Sequence, residues 1–206
     1  MNLLIVYGSS GGHTVRIVDR LVDVALSQEH QVQVMDCEKM PSSFSTRFFD
    51  AVIVGASVYF GKHHPGVVGF VQARMDELIG RPCAFFSVSL AAAAARPEDR
   101  AEAVEYVRDF VRETAWRPGL TAVFAGALRY SQYGLMTRAV MKNISKRAGA
   151  DTDTSQDFDY TDWETVRLFG EGFLDWVGHE LSAGQRARAH HARRAGPAPG
   201  PLPAPM

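Results

Sequence analysis

Short apolar runs alternate with amphipathic helical segments along most of this 206-residue chain, and this alternation restricts the fold more than any other feature. Such runs predict strands buried in a sheet, and apolar residues at helical spacing predict helices. The predicted strands are 2–7, 31–35, 51–55, 82–89 and 121–128, with 31–35 near an edge. The predicted helices are 14–28, 67–79, 98–114 and 161 to about 181. Strands that alternate with helices form a doubly wound parallel sheet, so an α/β fold with five parallel strands is expected.

One segment departs from the alternation. The connection between the fifth strand and the last helix, about 129–160, is too long for an ordinary loop and is interpreted as an insertion. Within it, 134–148 is predicted to form a helix. Arg138, Lys142 and Lys146 are spaced four residues apart and therefore share one face of that helix.

The C-terminal region combines a helix signal with a disorder signal. Thr161 and Glu164 have the spacing of a capping box, so the last helix is predicted to begin at Thr161. Beyond it, the basic segment 183–206 ends in a stretch rich in Pro and Ala, a composition that cannot pack a core. We therefore predict one domain over 1–182 and a disordered tail over 183–206.

Composition and charge exclude several classes of protein. Apolar residues make up 46% of the chain, and 22 Lys and Arg nearly balance 23 Asp and Glu, which argues against general nucleic-acid binding. Two cysteines, Cys37 and Cys83, form neither a disulfide framework nor a zinc knuckle and indicate a reducing, cytoplasmic compartment. No apolar run approaches the ~20 residues of a membrane span. His63 and His64 lack companion ligands, so no metal site is predicted and both are expected to face solvent.

The segment 8–14 is the first candidate binding loop. In an open parallel sheet, ligands bind beyond the carboxyl ends of the strands. This loop offers backbone N–H groups, hydroxyls and a helix N-terminus, but it matches neither Walker A nor Gly-x-Gly-x-x-Gly. It therefore favours a terminal monophosphate, as in FMN, and the alternative is a tight turn whose hydroxyls cap the helix. The predicted phosphate-binding residues are Ser9, Ser10, Gly11, Gly12, His13 and Thr14.

Two further segments follow the third and fourth strands and should reach the same edge. Small residues within 56–61 let a planar ring approach the backbone, and Tyr59 or Phe60 can stack on that ring; the alternative is an aromatic pair that closes the end of the sheet. Ser89 and its backbone neighbours can hydrogen-bond a flavin edge, or they form a plain loop. The predicted ring-binding residues are Ala56, Ser57, Val58, Tyr59, Phe60, Gly61, Ser87, Val88, Ser89 and Leu90.

Five short motifs carry a resemblance to a known family. They are 53–57 (IVGAS), 84–88 (AFFSV), 116–118 (WRP), 125–130 (AGALRY) and 160–163 (YTDW). Over about 1–180 the chain resembles the menaquinone-dependent protoporphyrinogen IX dehydrogenases, which have the flavodoxin fold. The resemblance implies bound FMN, strand order 2-1-3-4-5, and oxidation of protoporphyrinogen IX with electrons passed to a respiratory quinone. It also implies that Thr152, Asp153 and Thr154 border the flavin, with a polar turn as the alternative.

Basic residues of the insertion are candidate contacts for such a substrate. Porphyrinogen propionates are anionic, and no acidic residue occurs over 114–150. A solvated helix face is the alternative interpretation. The basic helix also suits an anionic membrane surface, so we expect a cytoplasmic enzyme held peripherally at the inner face of the cell membrane. The candidate substrate-binding residues are Arg129, Arg138, Lys142 and Lys146.

Two other functions are compatible with the same pattern. A flavodoxin-type electron carrier would be strongly acidic, which the basic insertion argues against. An NAD(P)H-dependent quinone reductase would need nicotinamide to dock directly at the flavin, because no separate nicotinamide domain fits in the chain.

Overall fold

The chain folds into a parallel sheet with helices on both faces. The structure is a computed structural model, and it describes residues 1–94, 96–128 and 153–194. The strands are β1 (Asn2–Gly8), β2 (Gln31–Asp36), β3 (Ala51–Tyr59), β4 (Lys62–His63), β5 (Cys83–Ser89), β6 (Leu120–Ala125), β7 (Ala127–Leu128) and β8 (Phe158–Asp159). The helices are α1 (His13–Ser27), α2 (Pro65–Ala73), α3 (Met75–Leu78), α4 (Pro97–Thr114) and α5 (Trp163–Arg194), with a 3₁₀ turn at Ala91–Ala93.

The five long strands confirm the predicted parallel sheet and its strand order. Their order is β2-β1-β3-β5-β6, which is 2-1-3-4-5 when the short strands are left out. Ile5 of β1 pairs with Val34 of β2 on one side and with Ile53 of β3 on the other. β2 lies at an edge, as its alternating sequence predicted. The strand order reverses between β1 and β3, so a crevice is expected at their carboxyl ends.

Alternate residues of the central strands supply two separate apolar layers. Leu3 and Ile5 of β1 pack on the face that α1 and α5 cover, whereas Leu4 and Val6 pack on the face that α2 and α4 cover. Because both faces are covered, the strand reads as a continuous apolar run rather than an alternating one. Such burial on two faces holds the carboxyl ends of the strands in a fixed arrangement.

Two helix boundaries differ from those predicted. The segment 67–79 forms two helices, α2 and α3, because Arg74 leaves the helical conformation and its guanidinium donates to the carbonyl oxygens of Ser42 and Phe44. The predicted capping box at Thr161 is wrong: Asp162 caps α5, and its carboxylate accepts the backbone N–H groups of Glu164 and Thr165.

The predicted fifth strand, 121–128, is split at Gly126. β6 ends at Ala125, and β7 then turns away to pair antiparallel with β8, Ala127 opposite Asp159 and Leu128 opposite Phe158. This small ribbon closes the base of the predicted insertion. The predicted helix 134–148 lies outside the described residues.

α5 is longer than predicted. It continues to Arg194, so residues 183–194 are helical and the predicted disorder over that segment is wrong. Ala and Arg, which have high helix propensity, make up seven of the ten residues of 185–194, and the first proline beyond α5 is Pro197. Residues 195–206 lie outside the described part of the chain. Among the helices that the structure describes, none has the length and apolarity needed to cross a membrane.

Candidate active site at the carboxyl edge of the sheet

A cavity of about 280 Å³ opens at the carboxyl ends of β1, β3, β5 and β6. It lies where the strand order predicted a crevice. All three predicted loops contribute to its wall, and Gly126 and Ala127, which the sequence analysis missed, join them. The lining residues are Ser9, Ser10, Gly11, His13, Thr14, Ser57, Val58, Tyr59, Val88, Ser89, Leu90, Gly126 and Ala127.

The loop between β1 and α1 has the features of an anion-binding turn. Gly12 is the N-cap of the 15-residue α1 with φ 75°, and no side chain caps this helix end. The first N–H groups of α1 therefore keep their partial positive charge for a ligand. Ser9 Oγ is buried and has no hydrogen-bond partner among the described residues. A buried hydroxyl without a partner costs free energy, which an anionic ligand would recover.

Two contacts fix this loop against its surroundings. Ser57 Oγ at the end of β3 accepts the backbone N–H of Ser10 at 3.0 Å. Beneath the loop, the His64 ring leaves no room for a side chain at Gly8, because a Cβ there would lie 2.7 Å from His64 Cγ. The loop therefore needs glycine at position 8 to pack on α2.

His13 connects the loop to the chain that returns from the insertion. Its buried ring places Nε2 2.6 Å from Thr161 Oγ1, and Thr161 Oγ1 donates to the carbonyl oxygen of Ala125. Because the hydroxyl proton is used there, Nε2 of His13 is the donor to Thr161. Asp159 Oδ1 lies 3.6 Å from the same nitrogen, and Arg16 pairs with Asp159 at 2.7 Å.

Asp159 stays ionised in this network. Burial alone would raise the pKa of its carboxyl group, but the hydrogen bond from the backbone N–H of Thr161 and the charges of His13 and Arg16 lower it below its ordinary value. The sequence analysis took Thr161 for a helix cap and missed this link. The YTDW motif at 160–163 was the signal that could have indicated it.

The third strand continues into a hairpin that the sequence analysis treated as a loop. Val58 pairs with His63 and Tyr59 pairs with Lys62, and Phe60 (φ 49°) and Gly61 (φ 75°) form the two-residue turn. Positive φ at both turn residues is the pattern of a type I′ hairpin. Tyr59 lines the cavity, and the Phe60 ring meets the Tyr59 ring edge-on, with centroids 4.4 Å apart.

Both histidines that follow the hairpin turn are buried, so the prediction that they face solvent is wrong. His63 Nε2 lies 2.9 Å from Ser87 Oγ, and its ring packs edge-on against the stacked rings of Phe85 and Phe110. Burial lowers the pKa of His63 to about 4, against a smaller opposing effect of Asp109. His63 is therefore neutral at pH 7.

The buried His64 contacts a half-buried cysteine and an exposed glutamate on the α2 side of the loop. Its Nδ1 lies 3.7 Å from Cys37 Sγ, and its Nε2 lies 3.4 Å from Glu38 Oε1. Burial, helped by Asp36 and Glu38, raises the pKa of the Cys37 thiol to about 11, so this cysteine is protonated and unreactive at neutral pH. The described residues contain no group of three or more His, Cys, Asp or Glu arranged to hold a metal ion.

Several predicted ring-binding residues do not line the cavity. Ser87 lies on the face of β5 that packs against α2 and α4, where it bonds to His63, because Phe85 and Ser87 alternate onto the same side of the strand. Ala56 is fully buried on that same face. Phe60 and Gly61 form the hairpin turn beside the cavity rather than its wall. Gly12, which was predicted to bind the phosphate, is the N-cap of α1 and also lies outside the cavity lining.

The predicted flavin-border segment at 152–154 is described only in part. Asp153 and Thr154 do not line the cavity, and Asp153 Oδ1 accepts the backbone N–H of Ser155 at 2.9 Å. This contact forms a polar turn at 153–155. Thr152 lies outside the described residues, as do the predicted substrate-binding residues Arg129, Arg138, Lys142 and Lys146.

Comparisons with known proteins agree with this geometry. The family described as "Flavodoxin domain" matches residues 4–155. A protein of Escherichia coli strain K12 named "Protoporphyrinogen IX dehydrogenase [quinone]" is 35% identical over 170 residues, which cover 82% of this chain and 92% of that protein. A Leishmania major protein of the same name is 35% identical over 174 residues, covering 82% of this chain and 73% of that protein.

Solved structures support the same fold. Oxidised flavodoxin 1 of Bacillus cereus superposes with a TM-score of 0.53 at 17% identity and covers 85% of this chain and 98% of its own. That likeness concerns the fold, whereas the sequence relatives extend through most of the chain. The chain therefore belongs to the flavodoxin-domain proteins and, within them, to the family of the protoporphyrinogen IX dehydrogenases [quinone].

Proposed function

We propose that this chain is an FMN-dependent oxidoreductase that oxidises protoporphyrinogen IX and passes the electrons to a quinone. The observation that carries the proposal is the match to relatives of that name over 82% of the chain. The flavodoxin domain, matched over 4–155, spans all the loops around the cavity. These relatives are flavodoxin-like proteins, and the cavity lies where that fold places its ligand.

The phosphate of FMN fits the loop between β1 and α1. A terminal phosphate would satisfy the buried Ser9 hydroxyl and the uncapped N–H groups of α1, and Thr14 adds a second hydroxyl in the first helical turn. Gly11 leaves open space, since a Cβ there would meet no atom within 4 Å. The residues proposed to hold the phosphate are Ser9, Ser10, Gly11, Gly12, His13 and Thr14.

The remaining wall of the cavity would border the flavin ring. When bound, FMN supplies the two-electron chemistry, and the protein positions it and excludes water. Tyr59 offers an aromatic face, and the backbone of the β5 end offers hydrogen-bonding groups. The residues proposed to border the ring are Ser57, Val58, Tyr59, Val88, Ser89, Leu90, Gly126 and Ala127. We assign no acid–base residue, because the buried ring of His13 is engaged by Thr161 and Asp159.

The basic insertion is proposed to bind the substrate propionates and to bring the enzyme to an anionic membrane surface from the cytoplasm. Support comes from the sequence: no acidic residue occurs over 114–150, and Arg138, Lys142 and Lys146 follow one helical face. Arg129 is proposed as a further propionate contact. A quinone acceptor that resides in the bilayer requires contact with the membrane surface.

Replacing Arg138, Lys142 and Lys146 together with Gln is expected to weaken binding to anionic liposomes. Each basic residue near such a surface contributes ~1 kcal/mol, so the loss should be about 100-fold at low salt. Co-sedimentation with liposomes measures it, and flavin content should not change. Replacing Arg186, Arg193 and Arg194 with Gln removes the same charge from α5 and is the matched control. If only this control variant leaves the liposomes, the membrane contact belongs to α5 and not to the insertion.

Anaerobic mixing of the FMN-loaded protein with protoporphyrinogen IX tests the proposed function. The visible absorbance of the flavin should be lost and should return when a quinone is added. NADPH in place of the porphyrinogen should leave the flavin oxidised. Reduction by NADPH but not by protoporphyrinogen IX would instead indicate an NAD(P)H-dependent quinone reductase, and reduction by neither would contradict the proposal.

A further inference from the structure

The turn of the β3–β4 hairpin carries a largely exposed aromatic side chain on a backbone in the left-handed region. Phe60 adopts φ 49°, the left-handed region that glycine and asparagine tolerate and that bulky residues rarely enter. Its side chain is 66% exposed, so it gains little from burial. Phe60 contacts the Tyr59 ring, but its strained backbone and its mostly exposed side chain point to a role beyond the folding of this turn.

The hairpin also brings a cation to the same place. Lys62 stands directly opposite Tyr59 in the antiparallel pair, and cross-strand partners project from the same face. Tyr59 lines the cavity, so Lys62 lies at its rim. Lys62 is exposed and forms no ion pair with a described carboxylate. The neighbouring α4 carboxylates are engaged elsewhere, Glu102 with Tyr106 and Asp109 with Arg112.

The hairpin is held in place from below and from the side. His63 bonds to Ser87 in the core, and the backbone N–H of His64 donates to the carbonyl oxygen of Ser57 at 3.0 Å. Ser57 in turn holds Ser10 of the phosphate loop. Phe60 and Lys62 are therefore presented at a fixed position beside the cavity, which lowers the entropic cost of binding a ligand there.

We propose that this hairpin binds the substrate as an anionic tetrapyrrole, with the Phe60 ring against the macrocycle and the Lys62 ammonium group against one of its carboxylates. This inference rests on the proposed function and adds a substrate contact outside the basic insertion. A large apolar ring that carries carboxylates matches an exposed aromatic side chain beside an unpaired cation, whereas a neutral quinone would use only the aromatic side chain.

Two variants and two ligands test the inference. Lys62→Gln should weaken binding of protoporphyrin IX to the FMN-loaded protein about fivefold at low salt, as expected for a rim ion pair, and should leave binding of its dimethyl ester unchanged. Phe60→Asn suits the turn, so folding should be preserved or improved, and it should weaken binding of both ligands about tenfold. Porphyrin fluorescence titration gives the Kd, and the rate of flavin reduction by protoporphyrinogen IX should show the same losses at subsaturating substrate.

Matched controls are available elsewhere on the surface. Lys39→Gln removes an exposed lysine that does not line the cavity, and Phe48→Asn removes a phenylalanine that is 81% exposed before β3. Both should bind like the wild type.

Three results would overturn the inference. If protoporphyrinogen IX reduces the flavin but Lys62→Gln and Phe60→Asn both bind protoporphyrin IX with wild-type affinity, the inference about the hairpin is wrong. The proposed function would still stand. If Phe60→Asn slows only the reoxidation of the flavin by quinone, the hairpin receives the acceptor instead. Failure of protoporphyrinogen IX to reduce the wild-type flavin would overturn both this inference and the proposed function.

Discussion

Replacing Ser9 and Thr14 together with alanine is expected to weaken FMN binding by about 100- to 10,000-fold. Ser9 Oγ is buried and has no partner among the described residues, and both Ser9 and Thr14 line the cavity, so both hydroxyls are proposed to bind a phosphate there. A hydrogen bond to a charged group contributes ~1.5–3 kcal/mol, and two such bonds account for the range. Quenching of FMN fluorescence on titration into the apoprotein measures the affinity.

Riboflavin and a serine elsewhere in α1 supply the controls. Riboflavin lacks the phosphate, so its affinity for the double variant should stay close to that for the wild type. Ser27→Ala removes a hydroxyl that bonds the Val24 carbonyl at the other end of α1, and it should not alter FMN binding. Unchanged FMN affinity in the double variant would contradict the assignment of this loop. An equal loss for riboflavin would mean that the loop had collapsed.

The central sheet was predictable because its signal is local. Each strand that is buried on both faces is a continuous apolar run, and each helix that covers the sheet has apolar residues at helical spacing. The carboxyl ends of parallel strands meet at one edge, so the three binding loops could be brought together without knowing any side-chain contact. The strand order itself came from the family resemblance carried by short motifs such as 125–130.

The misplaced residues depend on contacts that are distant in the sequence. His63 and His64 follow an exposed turn and look like surface residues, but Ser87 and Cys37 provide their buried partners. Thr161 has the correct spacing for a capping box, yet its hydroxyl bonds Ala125 and His13 instead. No pattern within a single segment carries such information.

The prediction for the end of α5 failed for the opposite reason, because here the local sequence itself carried the helix signal. The basic segment after Glu180 was assigned to disorder from its low apolar content and the nearby prolines. Low apolar content says that a segment cannot pack a core, but it does not prevent a helix from continuing when its residues have high helix propensity. The prediction for 183–194 therefore left out the helix propensity of these residues, and α5 continues to Arg194.

Acidification from about pH 7 to about pH 5 is expected to remove roughly 2 kcal/mol of stability through His63 alone. Burial against Phe85 and Phe110 lowers the pKa of His63 from 6.5 to about 4 in the folded protein, while the unfolded chain keeps the ordinary value. Between these two values the unfolded state binds a proton that the folded state does not. The stabilisation is therefore complete above pH 6.5, falls as the pH drops, and reaches a full loss of roughly 3 kcal/mol near pH 4.

His63→Gln isolates this contribution because glutamine keeps an amide that can reach Ser87 but has no titratable group. Urea unfolding at about pH 7 and about pH 5 gives the free energy of unfolding at each pH. The fall in this free energy from about pH 7 to about pH 5 should be smaller in the variant than in the wild type by roughly 2 kcal/mol. Carboxylates such as Asp159, whose pKa is lowered in the fold, also lose stabilisation in acid, but they do so equally in both proteins and cancel. His179→Gln, at an exposed position of α5, should retain the wild-type pH dependence. If His63→Gln loses as much stability in acid as the wild type does, then His63 takes up its proton without unfolding the chain. In that case it would not hold the hairpin as a buried neutral group.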